Sequence, residues 1–176
     1  MRRLTPFTPD PALEPLQLQA EACLEGTLLR LRYRVVGPLE VLAIPAPASG
    51  PPRRLDGLWQ GTCLEAFLAG RGCSNYWELN LSPSGDWNLY RFDAYRCGGR
   101  EETRISGLSA SRWERPDRLE LELQLNLERL LPPPEPLEIS LTAVLEHRLR
   151  GCSYWALRHT GEAADFHRRD SFLPWE

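Results

Sequence analysis

The stretch "LELELQLNL", Leu119 to Leu127, settles the class of fold. Five leucines alternate with Glu120, Glu122, Gln124 and Asn126, a strict period of two. That pattern puts one oily row and one wet row on opposite faces of a half-buried β-strand. Working outward, the same alternation recurs. Leu16, Leu18, Ala20 and Ala22 alternate with Gln17, Gln19 and Glu21. After a turn at Glu25-Gly26, Leu29, Leu31, Tyr33 and Val35 alternate with Arg30, Arg32 and Arg34. The arginine row reads as the solvated face of an antiparallel sheet, and it discourages edge-to-edge pairing. Thr62 to Leu68, "RISGLSASRW" at 104–113, Leu137 to Ala143 and "YWALRH" at 154–159 are further strand candidates. "RPD" at 115–117 is a turn, and the Pro-rich breaks fall at 45–54 and 132–136. "LNLERLL" around Glu128 suits one short helical turn at most.

Nine or ten strands at this spacing predict an all-β chain folded as an antiparallel two-sheet sandwich with little helix. The domain expected spans residues 14–176, preceded by an irregular arm over residues 1–13, where Pro6, Pro9 and Pro11 block regular structure. The 176 residues, 42% of them hydrophobic, suffice for a core without disulfide or metal staples. Sixteen prolines and thirteen glycines argue against a helical bundle.

Composition also bounds function. The net charge is −3, which lacks the electrostatic footprint of a nucleic-acid binder. All 21 basic residues are arginine, scattered along the chain as codon bias would scatter them. The five cysteines have no metal-ligand spacing and read as free thiols of a reducing compartment. No apolar run reaches the length of a signal peptide or a membrane span, so a soluble cytoplasmic protein with no membrane partner is expected.

The candidate site lies in "NYWELNLSPSGDWNLYRFDAYR", Asn75 to Arg96, two strands around a tight turn. A two-residue or PSGD turn sets Ser82 opposite Trp87. Leu79 then faces Tyr90 and Trp77 faces Phe92 on the apolar side. On the other side Glu78 faces Arg91, Asn80 faces Leu89 and Tyr76 faces Asp93, with Tyr95 continuing the row. Two readings stay open for this polar face. It is a salt-bridged outer surface, or it is a recognition face whose aromatic rings accompany directed hydrogen bonds. Glu65, between Cys63 and Phe67, points to the same side and needs a partner, for which Arg91 is the natural candidate.

"LWQGTCLEAFL", "YWELNLSPSGDWNLYRFDAYR", "SYWALRH" and "DFHRRDSF" together resemble the bacterial DOMON-like proteins, relatives of family 9 carbohydrate-binding modules and of haem- or sugar-binding DOMON domains. The resemblance runs from about Leu16 to Phe172. It implies a sandwich with a ligand site on a concave sheet face or at its rim. It further implies a saccharide pinched between two tryptophans, with Glu and Arg nearby. Trp59 and Trp155 are the rings it suggests, and Trp87 the alternative. Glu65, Glu78, Asn80 and Arg91 would hydrogen-bond, with Asp93 and Tyr95 in support. Haem ligation in these relatives uses Met and His, and Met1 is the only methionine. Bis-His ligation would have to draw on His147, His159 and His167.

The tail gathers His159, Asp165 and His167, a conceivable metal set without zinc-like spacing. A structural calcium held by carboxylates has no place that the sequence identifies. Glu65 with Glu78 as a glycosidase pair, or Cys63 with a tail histidine as nucleophile and base, are the enzyme alternatives. The expected function is therefore non-catalytic binding of a small sugar-like ligand without cofactor, with a protein partner as the second reading.

Overall fold

The computed structural model describes residues 1–131 and 136–175. The break expected at 132–136 lies almost wholly outside them. Twelve strands form in chain order: Arg2–Pro6 (β1), Gln17–Glu25 (β2), Leu28–Val36 (β3), Cys63–Gly70 (β4), Tyr76–Leu81 (β5) and Trp87–Phe92 (β6). Arg100–Glu101 (β7), Ser109–Arg115 (β8), Arg118–Asn126 (β9), Leu137–His147 (β10), Gly151–Ala156 (β11) and Leu173–Trp175 (β12) follow. Three single-turn 3₁₀ segments occur, at Leu39–Val41, Leu58–Gln60 and Arg169–Ser171, and no α-helix among the described residues. None of these segments is a helix long and apolar enough to cross a membrane.

The strands hydrogen-bond in the order β7-β6-β5-β4-β10-β11-β1-β2-β3-β9-β8, with β12 beside the start of β10. Every pairing is antiparallel, and the sheet curls into the two layers of a sandwich. The link between the layers is β1. Its residues Arg2 to Leu4 pair with β2, whereas Thr5 and Pro6 pair with β11. The first residues are thus not the irregular arm expected. Pro6 is tolerated because it ends the strand, where no ladder donor is needed.

The oily rows meet between the layers. Leu18, Ala20, Leu29, Leu31, Tyr33, Leu121 and Leu123 pack against Leu64, Ala66, Leu68, Trp77, Leu79, Leu141 and Ala143. Burying one Leu of this kind stabilises by about 1.5–3 kcal/mol. Tyr33 is fully buried, and its hydroxyl donates across the core to the Glu65 carbonyl oxygen. Outside, Arg32 donates to Glu122 (2.7 Å) and Arg34 to Glu120 (3.1 Å). The arginine row thus lies in the middle of its layer, between β2 and β9, and guards no edge.

The β5–β6 hairpin differs from its expected register by one residue. Leu81 pairs with Trp87, Leu79 with Leu89, Glu78 with Tyr90 and Tyr76 with Phe92. The loop holds three residues, Pro83-Ser84-Gly85. The Gly85 N–H donates to the Ser82 carbonyl, and Gly85 has a φ of 95°. A type I turn closed by one left-handed glycine inserts the extra residue. Ser84 Oγ donates to Asp86 Oδ2 (3.1 Å), and Asp86 in turn accepts from Arg53 (3.0 Å to its backbone N–H), so side chains fix this longer loop. A slip of one residue turns all of β6 over.

Candidate functional site

That inversion rebuilds the polar face. Alternation puts Cys63, Glu65, Phe67 and Ala69 of β4 on the side away from the sandwich core, with Tyr76, Glu78 and Asn80 of β5. Asn88, Tyr90 and Phe92 join them from β6, and Thr142 and Val144 from β10. Arg91 is on the opposite side, across from Trp77, with its guanidinium 6.0 Å from that ring and its Nε without a hydrogen-bond partner. The expected Glu78–Arg91 pair does not exist, because the carboxylate and the guanidinium occupy opposite faces of the sheet.

Both faces of β4 and β5 are buried. The second cover comes from two loops. The Leu58–Gln60 turn holds Trp59 edge-on to Tyr90, with ring centroids 5.7 Å apart. From the other side the segment after His159 folds over the sheet. Phe166, His167 and Phe172 pack on Phe67, and Phe172 and His167 also meet Tyr76. Tyr76 stacks on Phe92 with centroids 5.0 Å apart and planes 6° apart.

Asp165 pins this tail to the turn at Ala94–Cys97. It accepts from the Tyr95 hydroxyl (2.5 Å), from Arg96 Nη2 (2.8 Å) and from the His167 N–H (3.1 Å). Arg96 reaches it from a left-handed backbone conformation, φ 50°.

Between the two covers a cleft of about 370 Å³ stays open, within the range of small-molecule sites. Trp59 and Tyr90 form one wall and Tyr154 and Phe166 another; Glu65, Glu78 and His167 are also among its lining residues, and so is Arg96. Glu65 is 2% exposed and its Oε1 has no hydrogen-bond partner. Burial pushes its carboxyl well above the usual range, repulsion from Glu78 adds to this, and a hydrogen bond from Thr142 opposes it. Glu78 is pushed up as well, by burial, against the Asn80 amide (2.9 Å) and the Arg96 charge.

His167 moves the other way, down to about 4, because burial and the nearby Arg96 both disfavour its cation. Its tautomer follows from its neighbours. The Arg96 N–H donates to the Tyr76 oxygen (3.1 Å), which leaves the Tyr76 hydroxyl proton for His167 Nδ1 (2.8 Å). Nε2 therefore carries the hydrogen and faces Glu78 Oε2 at 3.6 Å. The phenol of Tyr90 is raised by burial and by donating to Asp56 (2.6 Å).

Of the ten residues singled out in the sequence, Trp59, Glu65, Glu78 and His167 line the cleft. Asn80 lies behind it and orients Glu78. The other five point elsewhere. Trp155 faces Ala143 in the core and is 2% exposed, while its neighbour Tyr154 takes the cleft side. Trp87, the alternative ring, is also in the core, under the Arg54 guanidinium at 4.3 Å.

Asp93 is exposed and bound to Arg100 (2.8 Å), and Tyr95 serves Asp165. His159 Nε2 lies 2.9 Å from the Thr5 carbonyl oxygen, and its ring packs between Phe7 and Phe166. It does not join Asp165 and His167 in a metal set, and among the described residues no group of three or more His, Cys, Asp and Glu is placed to hold a metal ion.

Phe67 is on the side the sequence put it, whereas Tyr90, Phe92, Arg96, Tyr154 and Phe166 escaped the sequence reading. Tyr90 and Phe92 would have emerged from the three-residue loop. Tyr154 was visible only as the polar half of alternation in a strand whose Trp looked more eligible.

No protein-family model and no curated protein matches the chain. Among solved structures, a protein from Bacteroides uniformis provisionally named as carbohydrate-binding superposes with a TM-score of 0.67. It shares 14% identity, over 92% of this chain and 79% of that one. A family 9 carbohydrate-binding module from Caldicellulosiruptor kristjanssonii, in complex with cellotriose, superposes at 0.51 with 13% identity, over 89% and 71% of the two chains. At such identities the likeness is one of fold: this chain is an antiparallel β-sandwich similar to those of carbohydrate-binding proteins.

Proposed function

We propose that the cleft binds a small sugar-like molecule and performs no chemistry on it. The observation that carries this reading is the pairing of aromatic walls with a polar floor in a cavity of suitable size. Trp59 and Tyr90 offer apolar ring surface to the C–H faces of a pyranose. Glu65, Glu78 and the His167 Nε2–H offer directed hydrogen bonds to its hydroxyls, with Arg96 at the site as a further donor. The DOMON-like resemblance and the carbohydrate-related neighbours of the fold agree with it. Fold likeness alone does not give function. Cys63 is an inert thiol, buried and with its thiol pushed up by that burial.

Titration of tryptophan fluorescence with mono- to trisaccharides tests the reading. A saturable change is expected, with micromolar to millimolar affinity, about −4 to −8 kcal/mol. Trp59→Ala should weaken it at least tenfold. If no saccharide gives a signal in fluorescence or in calorimetry, the sugar reading is lost.

A further inference from the structure

Four carboxyl side chains are buried among the described residues: Glu65, Glu78, Asp86 and Glu102. Two of them have an arginine. Asp86 is bridged to Arg53 (3.2 Å) and Glu102 to Arg104 (2.5 Å). The two in the cleft have none. Glu65 Oε1 is unpartnered, and Glu78 Oε2 meets only the His167 ring at 3.6 Å, beyond good hydrogen-bond distance.

Among the described residues no arginine forms an ion pair with Glu65 or Glu78, although the charge of Arg96 bears on Glu78 from a distance. Around them, Cys63 and Phe67 come from β4, Asn80 from β5, Thr142 and Val144 from β10, and the Tyr33 hydroxyl binds only the Glu65 carbonyl from beneath. His167 is neutral above about pH 4. The chain has no lysine, and the guanidinium of Arg96 is taken by Asp165. Above this floor stand the rings of Trp59, Tyr90, Tyr154 and Phe166, whose faces attract a cation as readily as they pack on a sugar.

We infer that the ligand brings the missing cation: an amine-bearing sugar, its ammonium seated between Glu65 and Glu78 and its ring against the aromatic walls. This rests on the sugar reading for the part of the ligand that is not the amine. Charge balance fixes what accompanies binding. The buried carboxyl that meets the ammonium gives up its proton to solvent, so ammonium plus carboxylic acid become an ion pair plus one released proton. Affinity for the amine therefore rises with pH while the amine itself stays protonated.

Calorimetry of the full chain with D-glucosamine, D-glucose, N-acetyl-D-glucosamine and cyclohexylamine, in two buffers of different ionisation enthalpy, tests this. Glucosamine should bind about tenfold or more tighter than glucose or the acetylated sugar, with net proton release at a pH where its amine is fully protonated. Glu65→Gln keeps the shape but cannot ionise, and should erase the preference. If that variant does not fold, as judged by its thermal melt, the wild-type comparison of glucosamine with its acetylated form decides alone.

Equal binding of glucose and glucosamine, or amine binding without proton release, overturns the inference and leaves the sugar reading intact. Binding of glucosamine and cyclohexylamine alike, with no binding of glucose, supports the amine site and removes the sugar reading. Silence from all four removes both.

Discussion

The two outer faces of this sandwich are built from the same kinds of residue and do opposite things. On the β3–β9 face, Arg32 and Arg34 meet Glu122 and Glu120 across the strands, part-exposed and paired. On the β4–β5 face, Glu65 and Glu78 occupy equivalent alternate positions, yet they are buried and no arginine pairs with them. The strands did not make this difference. The tail after His159 and the turn bearing Trp59 lie over the second face and exclude water from much of it, while the paired side chains of the first stay part-exposed. A charge under cover either finds a partner or shifts its protonation. Here it shifts, and the covers stop short of closing, which leaves a cleft over the unsatisfied groups.

Substitutions can break this contrast. Phe67 is 1% exposed and touches Tyr76, Phe166, His167 and Phe172, so it joins the tail to the sheet. Phe67→Ala should cost about 3–5 kcal/mol in denaturant unfolding. It should also release the tail, seen as early proteolysis after His159, which no substitution on the β3–β9 face would cause.

His167 gives the next effect. Folded, it resists protonation down to about pH 4, whereas the unfolded chain takes the proton near 6.5. Stability from this group is complete above 6.5 and falls by about 3 kcal/mol as pH drops to 4. Comparing urea midpoints of the wild type and His167→Gln over that window isolates it, since the variant lacks this slope.

Glu65 has the opposite sign. Its folded pKa is raised, so its contribution is complete below pH 4.5 and is lost as pH rises through the raised value. Glu65→Gln should therefore be more stable than the wild type at pH 8, with a smaller gap at pH 5. A variant less stable at both values would mean that the carboxylate already has a partner. The smallest effect belongs to the other face. A double-mutant cycle on Arg32 and Glu122 should give a coupling of about 0.2–1 kcal/mol that fades with salt.

Strands were legible because the core between the layers is continuous and its demands are local. Any segment with one buried side must alternate, so Leu119 to Leu127 and Leu29 to Val35 announced themselves. The strand at Arg2–Pro6 was hidden, because five residues rich in Arg and Pro show no alternation and owe their pairing to neighbours distant in sequence. At the site, Glu65 and Glu78 were found because a carboxyl amid apolar neighbours is conspicuous in any register. Arg91 and Trp155 were misplaced for two different reasons. One turned on a single residue in a hairpin loop, and the other on which of two adjacent aromatic residues faces inward.

Sequence alone therefore determined the antiparallel sandwich, the oily rows of its core and the presence of acids where acids are expensive. Tertiary structure decided which side of the sheet each strand of the hairpin shows, and which loops lie over that side. The physical reason is one of range. Alternation is imposed by the two faces of the strand itself, whereas the burial of Glu65 and Glu78 depends on Trp59 and on a tail roughly a hundred residues later in the chain, which folds back over them.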